Sequence, residues 1–267
     1  MNRPRVIVHA VASLDGRLSL GPGRTGFEDV GDERWQAILG SNETPDETAR
    51  RIEVLHKPQV FLEGSGSFVR EGDDLKPLPP FEGDPKVLYQ DYLPDAVVHR
   101  SGHLGWFAAV DGRGRLRGGV KEFEGWEGWH VLHLVSCGVP PEYLAHLQRE
   151  EIPYLMAGEQ RVDLKRVMEK LKTKLGVECV VSTAGGKLNG TLLRAGLVDE
   201  INVEFLPAVI GGFETPSLFD SPALKPDQWP TRLELISAQV RAEGRVWLRY
   251  EVVQEGTAKA AQRREES

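Results

Sequence analysis

The stretch Ala184-Gly185-Gly186-Lys187-Leu188-Asn189-Gly190 is the best placed in this sequence to do chemistry. It follows an apolar run and opens a helical pattern. Paired glycines there would let a ligand phosphate sit against amide N–H groups at the positive end of a helix. By spacing alone the same residues also serve as an ordinary tight turn. Gly112-Arg113-Gly114-Arg115-Leu116-Arg117-Gly118-Gly119 offers a second anion site, in which glycines admit the backbone and arginines donate bidentate hydrogen bonds. It also reads as a solvated hairpin tip. An RNA-binding RGG reading is weakened by its single copy in an acidic chain. Gly21-Pro22-Gly23-Arg24-Thr25-Gly26 matches the dinucleotide pattern GxGxxG letter for letter. Phe27 to Gly31 carries no clear helical signal, however, so this segment reads as a plain loop. His130 and His133 are three apart in a strand-like run, which turns them to opposite faces and disfavours a shared metal. No metal site is expected.

These residues must be held by alternating elements. Val6–Ala12, Gln59–Leu62, Trp106–Val110, Val131–Val135, Ile152–Met156, Val177–Val181 and Glu200–Leu206 read as strands. Thr44-Pro45-Asp46-Glu47 reads as a capped helix start, and Pro141–Glu150 as a helix with proline in its first turn. Val162 to Leu175 has helical spacing with Gly176 past its end, and Leu188–Ala195 is a helix stopped by Gly196. The segment from Glu71 to Pro85 reads as a surface loop. Leu233–Arg241 and Arg245–Val253 flank Ala242-Glu243-Gly244, a hairpin signal. The expected fold is α/β, a mostly parallel central sheet flanked by helices with a C-terminal antiparallel hairpin. Residues 1–253 are expected to form one domain, and those from Gln254 onward a frayed tail.

With 267 residues, 40% hydrophobic and 27% charged, the composition is that of an ordinary globular protein. The longest apolar run, Trp106 to Val110, is far short of the roughly 20 residues of a membrane helix. No secretory signal is visible, and two cysteines are too few for a disulfide framework, so a cytoplasmic protein is expected. The formal charge of −7 argues against nucleic acid as a partner.

Val181-Ser182-Thr183-Ala184-Gly185-Gly186-Lys187-Leu188-Asn189, then Gly196-Leu197-Val198-Asp199-Glu200 and Pro207-Ala208-Val209-Ile210-Gly211-Gly212, resemble the RibD C-terminal family, the reductase half of the riboflavin-biosynthesis deaminase-reductases. Ser13-Leu14-Asp15-Gly16, Gly64-Ser65-Gly66-Ser67 and Val110 to Leu116 fit the same family, so the resemblance covers residues 3 to about 253. It implies a dihydrofolate-reductase-like fold and a homodimer. It also implies NADPH-dependent reduction of the ribose of a ribosylamino-pyrimidine 5′-phosphate, as by a 5-amino-6-(5-phosphoribosylamino)uracil reductase. The zinc motifs of the deaminase half are absent from the sequence, so a stand-alone reductase is expected. A related NADPH-dependent reductase of a pteridine or other small molecule and a non-catalytic nucleotide-binding protein are the alternatives.

Position by position, the resemblance places Val11 at the nicotinamide, with Ser67 and Glu71 in the cofactor site. Asp111, Gly112 and Arg113 fall near the adenosine phosphate, where Arg113 and Arg115 would favour NADPH over NADH. Ser136 falls at the adenosine end, and Gly185, Gly186, Leu188, Asn189 and Gly190 at the pyrophosphate. Asp15 is the candidate catalytic group. On the substrate side, Thr183 stands where the family usually has glutamate, and Leu55 and Leu78 where it has arginines. Lys57 is the candidate replacement cation, with His56, Arg50 and Arg51 as others.

Overall fold

Short β-branched runs become strands here and the amphipathic stretches between them become crossover helices. The computed structural model describes residues 2–40 and 45–253. The order is β1 (Arg5–Ser13), α1 (Gly26–Val30), α2 (Glu33–Leu39), α3 (Pro45–His56), β2 (Val60–Gly64), α4 (Asp95–Val98), β3 (Gly105–Val110), β4 (Trp129–Val135), α5 (Pro141–Arg149), β5 (Tyr154–Met156), α6 (Leu164–Leu175), β6 (Cys179–Ser182), α7 (Gly186–Arg194), β7 (Glu200–Leu206), β8 (Leu233–Val240) and β9 (Val246–Val252). The strands make a nine-stranded sheet of order β5-β4-β3-β2-β6-β1-β7-β9-β8. From β5 to β7 the pairing is parallel, and β9 and β8 are antiparallel. The expected architecture is borne out.

Alternation along the strands sends apolar side chains to both faces. Val8, Leu62, Leu132 and Val180 pack with Val167, Met168 and Leu171 of α6 and Leu192 of α7 on one face. Ile7, Phe61 and Val181 meet Ile52 of α3 on the other, where α5 also packs through Tyr143, Leu144 and Leu147. Each fully buried side chain of this size contributes about 1.5–3 kcal/mol over leaving it in water. α6 starts on Asp163, whose carboxylate accepts from the Arg166 N–H, and stops at Gly176, which is left-handed at φ 66°.

Several boundaries differ from expectation for local reasons. The Ile152 N–H turns back to the Leu147 carbonyl, closing α5, and Pro153 has no N–H, so β5 begins only at Tyr154. The Val177 N–H likewise returns to Leu171, which delays β6 to Cys179. Gly26–Val30 is helical, contrary to the plain-loop reading. Thr25 and Glu28 form a reciprocal cap, the Thr25 N–H donating to the Glu28 carboxylate at 2.8 Å and the Glu28 N–H to the Thr25 hydroxyl at 3.3 Å. The helix is one short turn with Glu28 and Asp29 at its start, which repel an anion. Thr44 and the tail from Gln254 lie outside the described residues.

Beneath α3, charge is buried on β1, β7 and β9. Glu204 is fully buried and pairs with Arg51 at 2.7 Å and Arg245 at 3.1 Å. Glu200, also fully buried, pairs with Arg249 at 2.8 Å and Arg5 at 2.5 Å. His9 lies beside them with neither ring nitrogen hydrogen-bonded among the described residues. Burial, with Arg51 and His56 nearby, pushes its pKa down to about 3.

Candidate active site

An open α/β sheet presents its ligand crevice at the carboxyl ends of its strands. Here β1 has an exposed backbone edge at that end. Its ladder with β6 stops at Val8 opposite Ser182, whereas its ladder with β7 continues to Ser13 opposite Leu206. Peptide groups alternate sides along a strand. Arg5 N–H donates toward β6, to the Glu178 carbonyl, while the Val6 carbonyl accepts from Asp199 on the β7 side. Val11 shares the orientation of Arg5, so its peptide groups face the gap that opens where β6 ends. Its side chain packs with Trp35, Leu39 and Leu206.

On the far side of that gap, β6 turns into α7 through the glycine pair. No side chain caps α7, leaving its first amides directed at the edge. The two glycines have different duties. A Cβ on Gly185 would meet nothing within 4 Å, whereas one on Gly186 would lie 1.9 Å from the Ser217 carbonyl oxygen and one on Gly190 2.5 Å from that of Asp220. Gly186 and Gly190 are therefore required by the 217–221 segment packed on α7, and only Gly185 borders open space. Asn189 is buried and internal to the turn. Its amide donates to the Ala184 carbonyl at 2.7 Å and its carbonyl oxygen accepts from Ser182 at 2.8 Å. Leu188 packs on the core beneath.

The turn after β2 is tied to the turn after β6 by Glu63, which the sequence reading did not single out. Its carboxylate accepts from the Ser67 hydroxyl at 2.7 Å and the Thr183 hydroxyl at 2.6 Å. Burial raises its pKa. The only signal in the sequence was an acidic residue closing an otherwise apolar strand run.

The loop after β3 is pinned from within. Asp111 is fully buried and accepts from the N–H groups of Arg115 at 2.7 Å and Leu116 at 2.8 Å, and from the Tyr143 hydroxyl at 2.8 Å. Tyr143 spends its one proton there, so His133 Nδ1, at 2.7 Å, donates to it. Ser136 follows β4 and donates to the Gly112 carbonyl at 3.2 Å. Arg113 makes a bidentate pair with Glu71 at 2.6 and 2.7 Å, holding the Glu71 carboxyl at about 2, with Arg115 and Lys187 adding to the effect. Arg115 is buried, and its guanidinium donates to the carbonyls of Val69 and Arg70. It closes the loop, leaving Arg113 as the exposed member of the expected pair. A cavity of about 390 Å³ lies alongside, lined by Asp73, Asp74, Lys76 and Arg117 among others.

Ser67, Glu71, Asp111, Gly112, Arg113, Ser136, Thr183 and Gly185 thus gather on one edge. Asp15 is there too. Ser13 donates to it at 2.6 Å, and the N–H groups of Ile210 and Gly211 at 3.1 and 2.8 Å. These bonds hold its pKa at about 2. At neutral pH it is an ionised clamp on the segment after β7 and has no proton to give. Lys57 is elsewhere. It follows α3 at the amino end of β2, so the full strand separates it from Ser67. His56 faces Asn202 at 3.3 Å and Arg51 faces Glu204, both under α3. Arg50 and Leu55 are exposed on α3, while Leu78 packs against the cluster of Leu88, Tyr143 and Tyr154. The cation nearest the glycine turn is Lys187, in the first turn of α7.

Comparison with known proteins bears on the family and the fold. Residues 131–247 match the RibD C-terminal domain. A curated relative from Methanothermobacter thermautotrophicus, named 2,5-diamino-6-ribosylamino-4(3H)-pyrimidinone 5′-phosphate reductase, is 37% identical over 101 residues, which are 38% of this chain and 46% of the relative. The chain therefore matches about half the length of that relative. Among solved structures, RibD of Acinetobacter baumannii superposes with TM-score 0.59 at 18% identity, over 95% of this chain and 59% of that one. A pyrimidine reductase-like protein of Corynebacterium diphtheriae gives TM-score 0.59 at 16% identity, over 95% and 94%. At such identities the superpositions establish the shared fold. No helix among the described residues is long and apolar enough to cross a membrane.

Proposed function

From the RibD C-terminal domain at residues 131–247, we propose that this protein is an NADPH-dependent reductase of the riboflavin pathway. Its substrate is 2,5-diamino-6-ribosylamino-4(3H)-pyrimidinone 5′-phosphate, the compound in the name of its curated relatives, and its product the ribityl form. The observation that carries this reading is the gap between the Val11 edge of β1 and the open, uncapped Gly185 turn.

The residues present fit the cofactor. Gly185 leaves room for a pyrophosphate at the positive end of α7, with Lys187 in the same turn. Arg113 is the exposed guanidinium for a 2′-phosphate, and to reach it must exchange its bond with Glu71. Val11 offers backbone N–H and C=O groups to a carboxamide. NADPH supplies the hydride, and the chain supplies orientation and a water-poor edge. Asp15 holds the segment after β7 against the end of β1, so its part is to shape this edge.

β8 is the outer strand of the sheet and exposes Leu233, Leu235 and Val240, which suits a homodimer through this edge. The two cysteines are unpaired, which suits the cytoplasm.

The test is steady-state kinetics with the phosphorylated and dephosphorylated aminopyrimidine riboside side by side. A kcat/KM at least tenfold higher for the phosphate is expected. Because Arg51 and His56 are engaged under α3 and Lys57 is at the wrong end, equal values would favour a reductase of a neutral substrate.

A further inference from the structure

We propose that Glu63 is the specificity-determining carboxylate of this crevice, accepting a hydrogen bond from an amino N–H or ribose hydroxyl of the substrate. The inference rests on the reductase reading above and names a contact within it. Leu62 on β2 and Val8 on β1 both lie opposite Ser182, the last residue of β6. Glu63, one residue further along β2, therefore borders the same gap as Val11, from the other side.

Its oxygens are only part-used. Oε2 accepts from Ser67 and Oε1 from Thr183, and each carboxylate oxygen has two lone-pair positions. The Gly64 N–H also bonds the carboxylate, so three of the four lone-pair positions are taken and one acceptor site remains, its direction fixed by the other three bonds. The charge is also uncompensated. Glu200 and Glu204 each meet arginines, but no ion pair to Glu63 occurs among the described residues. A half-buried carboxylate at a crevice, held by neutral donors with its pKa raised by burial, is poised to take its remaining hydrogen bond from a ligand. A diaminopyrimidine riboside is rich in such donors and its phosphate is not, so the phosphate must lie away from Glu63.

The test compares wild type, Glu63→Gln and Thr183→Val for NADPH affinity by calorimetry, for KM and kcat with the aminopyrimidine ribosyl phosphate, and for the pH profile. Glu63→Gln keeps the shape and one acceptor oxygen. It should raise KM at least tenfold, leave NADPH affinity within twofold, and remove the acid limb of the wild-type kcat/KM profile. Thr183→Val keeps the carboxylate, and should raise KM less than Glu63→Gln while retaining that limb. An unchanged KM in Glu63→Gln overturns the inference. So does a loss of NADPH affinity as large as the rise in KM, which would make Glu63 a tie between the two turns or a cofactor contact. A wild-type protein that neither binds nor reduces the phosphate contradicts the reductase reading itself, and the inference falls with it.

Discussion

The charged groups under α3 and those on the carboxyl edge are built from the same residue types and solve opposite problems. Under α3, Glu200 and Glu204 are sealed from water and each is matched by two arginines. Such pairs are held by their geometry, and breaking one strands the remaining charges. On the edge, Glu63 meets only neutral donors, the Ser67 and Thr183 hydroxyls and the Gly64 N–H, Arg113 and Glu71 pair in the open, and the α7 amides have no side-chain cap. Charge that is fully matched within the chain maintains the sheet, and hydrogen-bonding capacity left unmatched at the rim is available to a ligand. Substitutions should therefore separate into those that move stability and those that move binding.

The largest effect should come from Glu204→Leu, which removes the fully buried carboxylate that Arg51 and Arg245 both meet. A loss of about 3–5 kcal/mol is expected, read as a fall in Tm of roughly 6–20 °C for a chain of this size. A change below about 1 kcal/mol in chemical denaturation would erase the contrast between interior and rim.

Acid should act on the buried histidines. His9 and His133 are buried and neutral, with pKa values pushed down to about 3 and about 4. In the unfolded chain they titrate near 6.5, so below that pH the unfolded state binds more protons and stability falls as pH drops. For His9 alone the loss at pH 4.5 should be about 2–3 kcal/mol. His9→Gln should flatten the pH dependence of unfolding between pH 6.5 and 4.5, and an unaltered slope would refute its role.

The rim gives the complementary result. Gly185→Val should weaken NADPH binding at least tenfold, about 1.4 kcal/mol, and leave Tm within about 2 °C, because its Cβ enters open space. Gly186→Val should instead lower Tm sharply, since its Cβ falls on the Ser217 carbonyl. Parallel losses of stability in both variants would deny that Gly185 borders a ligand. The smallest effect is expected from Arg113→Ala. The NADPH-over-NADH preference should fall several-fold by calorimetry, less than a free guanidinium would give because Glu71 competes for it. Stability should move by less than about 0.5 kcal/mol, as for other exposed pairs.

Most of the sheet was legible because its signals are local. The β-branched run at Val6–Ala12, Gly176 after α6 and the hairpin around Ala242–Gly244 each act within a few residues. So was the glycine turn opening α7. What escaped depends on contacts across long separations. Gly186 reads as a ligand glycine until the 217–221 segment is seen against it. Arg115 reads as a phosphate donor until Val69 and Arg70 take its guanidinium. Lys57 reads as a substrate cation until β2 carries the site away from it. The Thr25–Glu28 cap was local and readable, and was obscured by the more familiar glycine pattern overlapping it.

The central claim is that the gap between Val11 and Gly185 brings NADPH to a ribosylamino-pyrimidine. The most direct test incubates the protein with NADPH and 2,5-diamino-6-ribosylamino-4(3H)-pyrimidinone 5′-phosphate, following cofactor absorbance and product mass together. The account predicts loss of NADPH matched one-to-one by a product heavier by two hydrogens, the ribityl compound, and at least tenfold slower turnover in Gly185→Val. NADPH that binds to the wild-type protein and is never consumed with this substrate would contradict it.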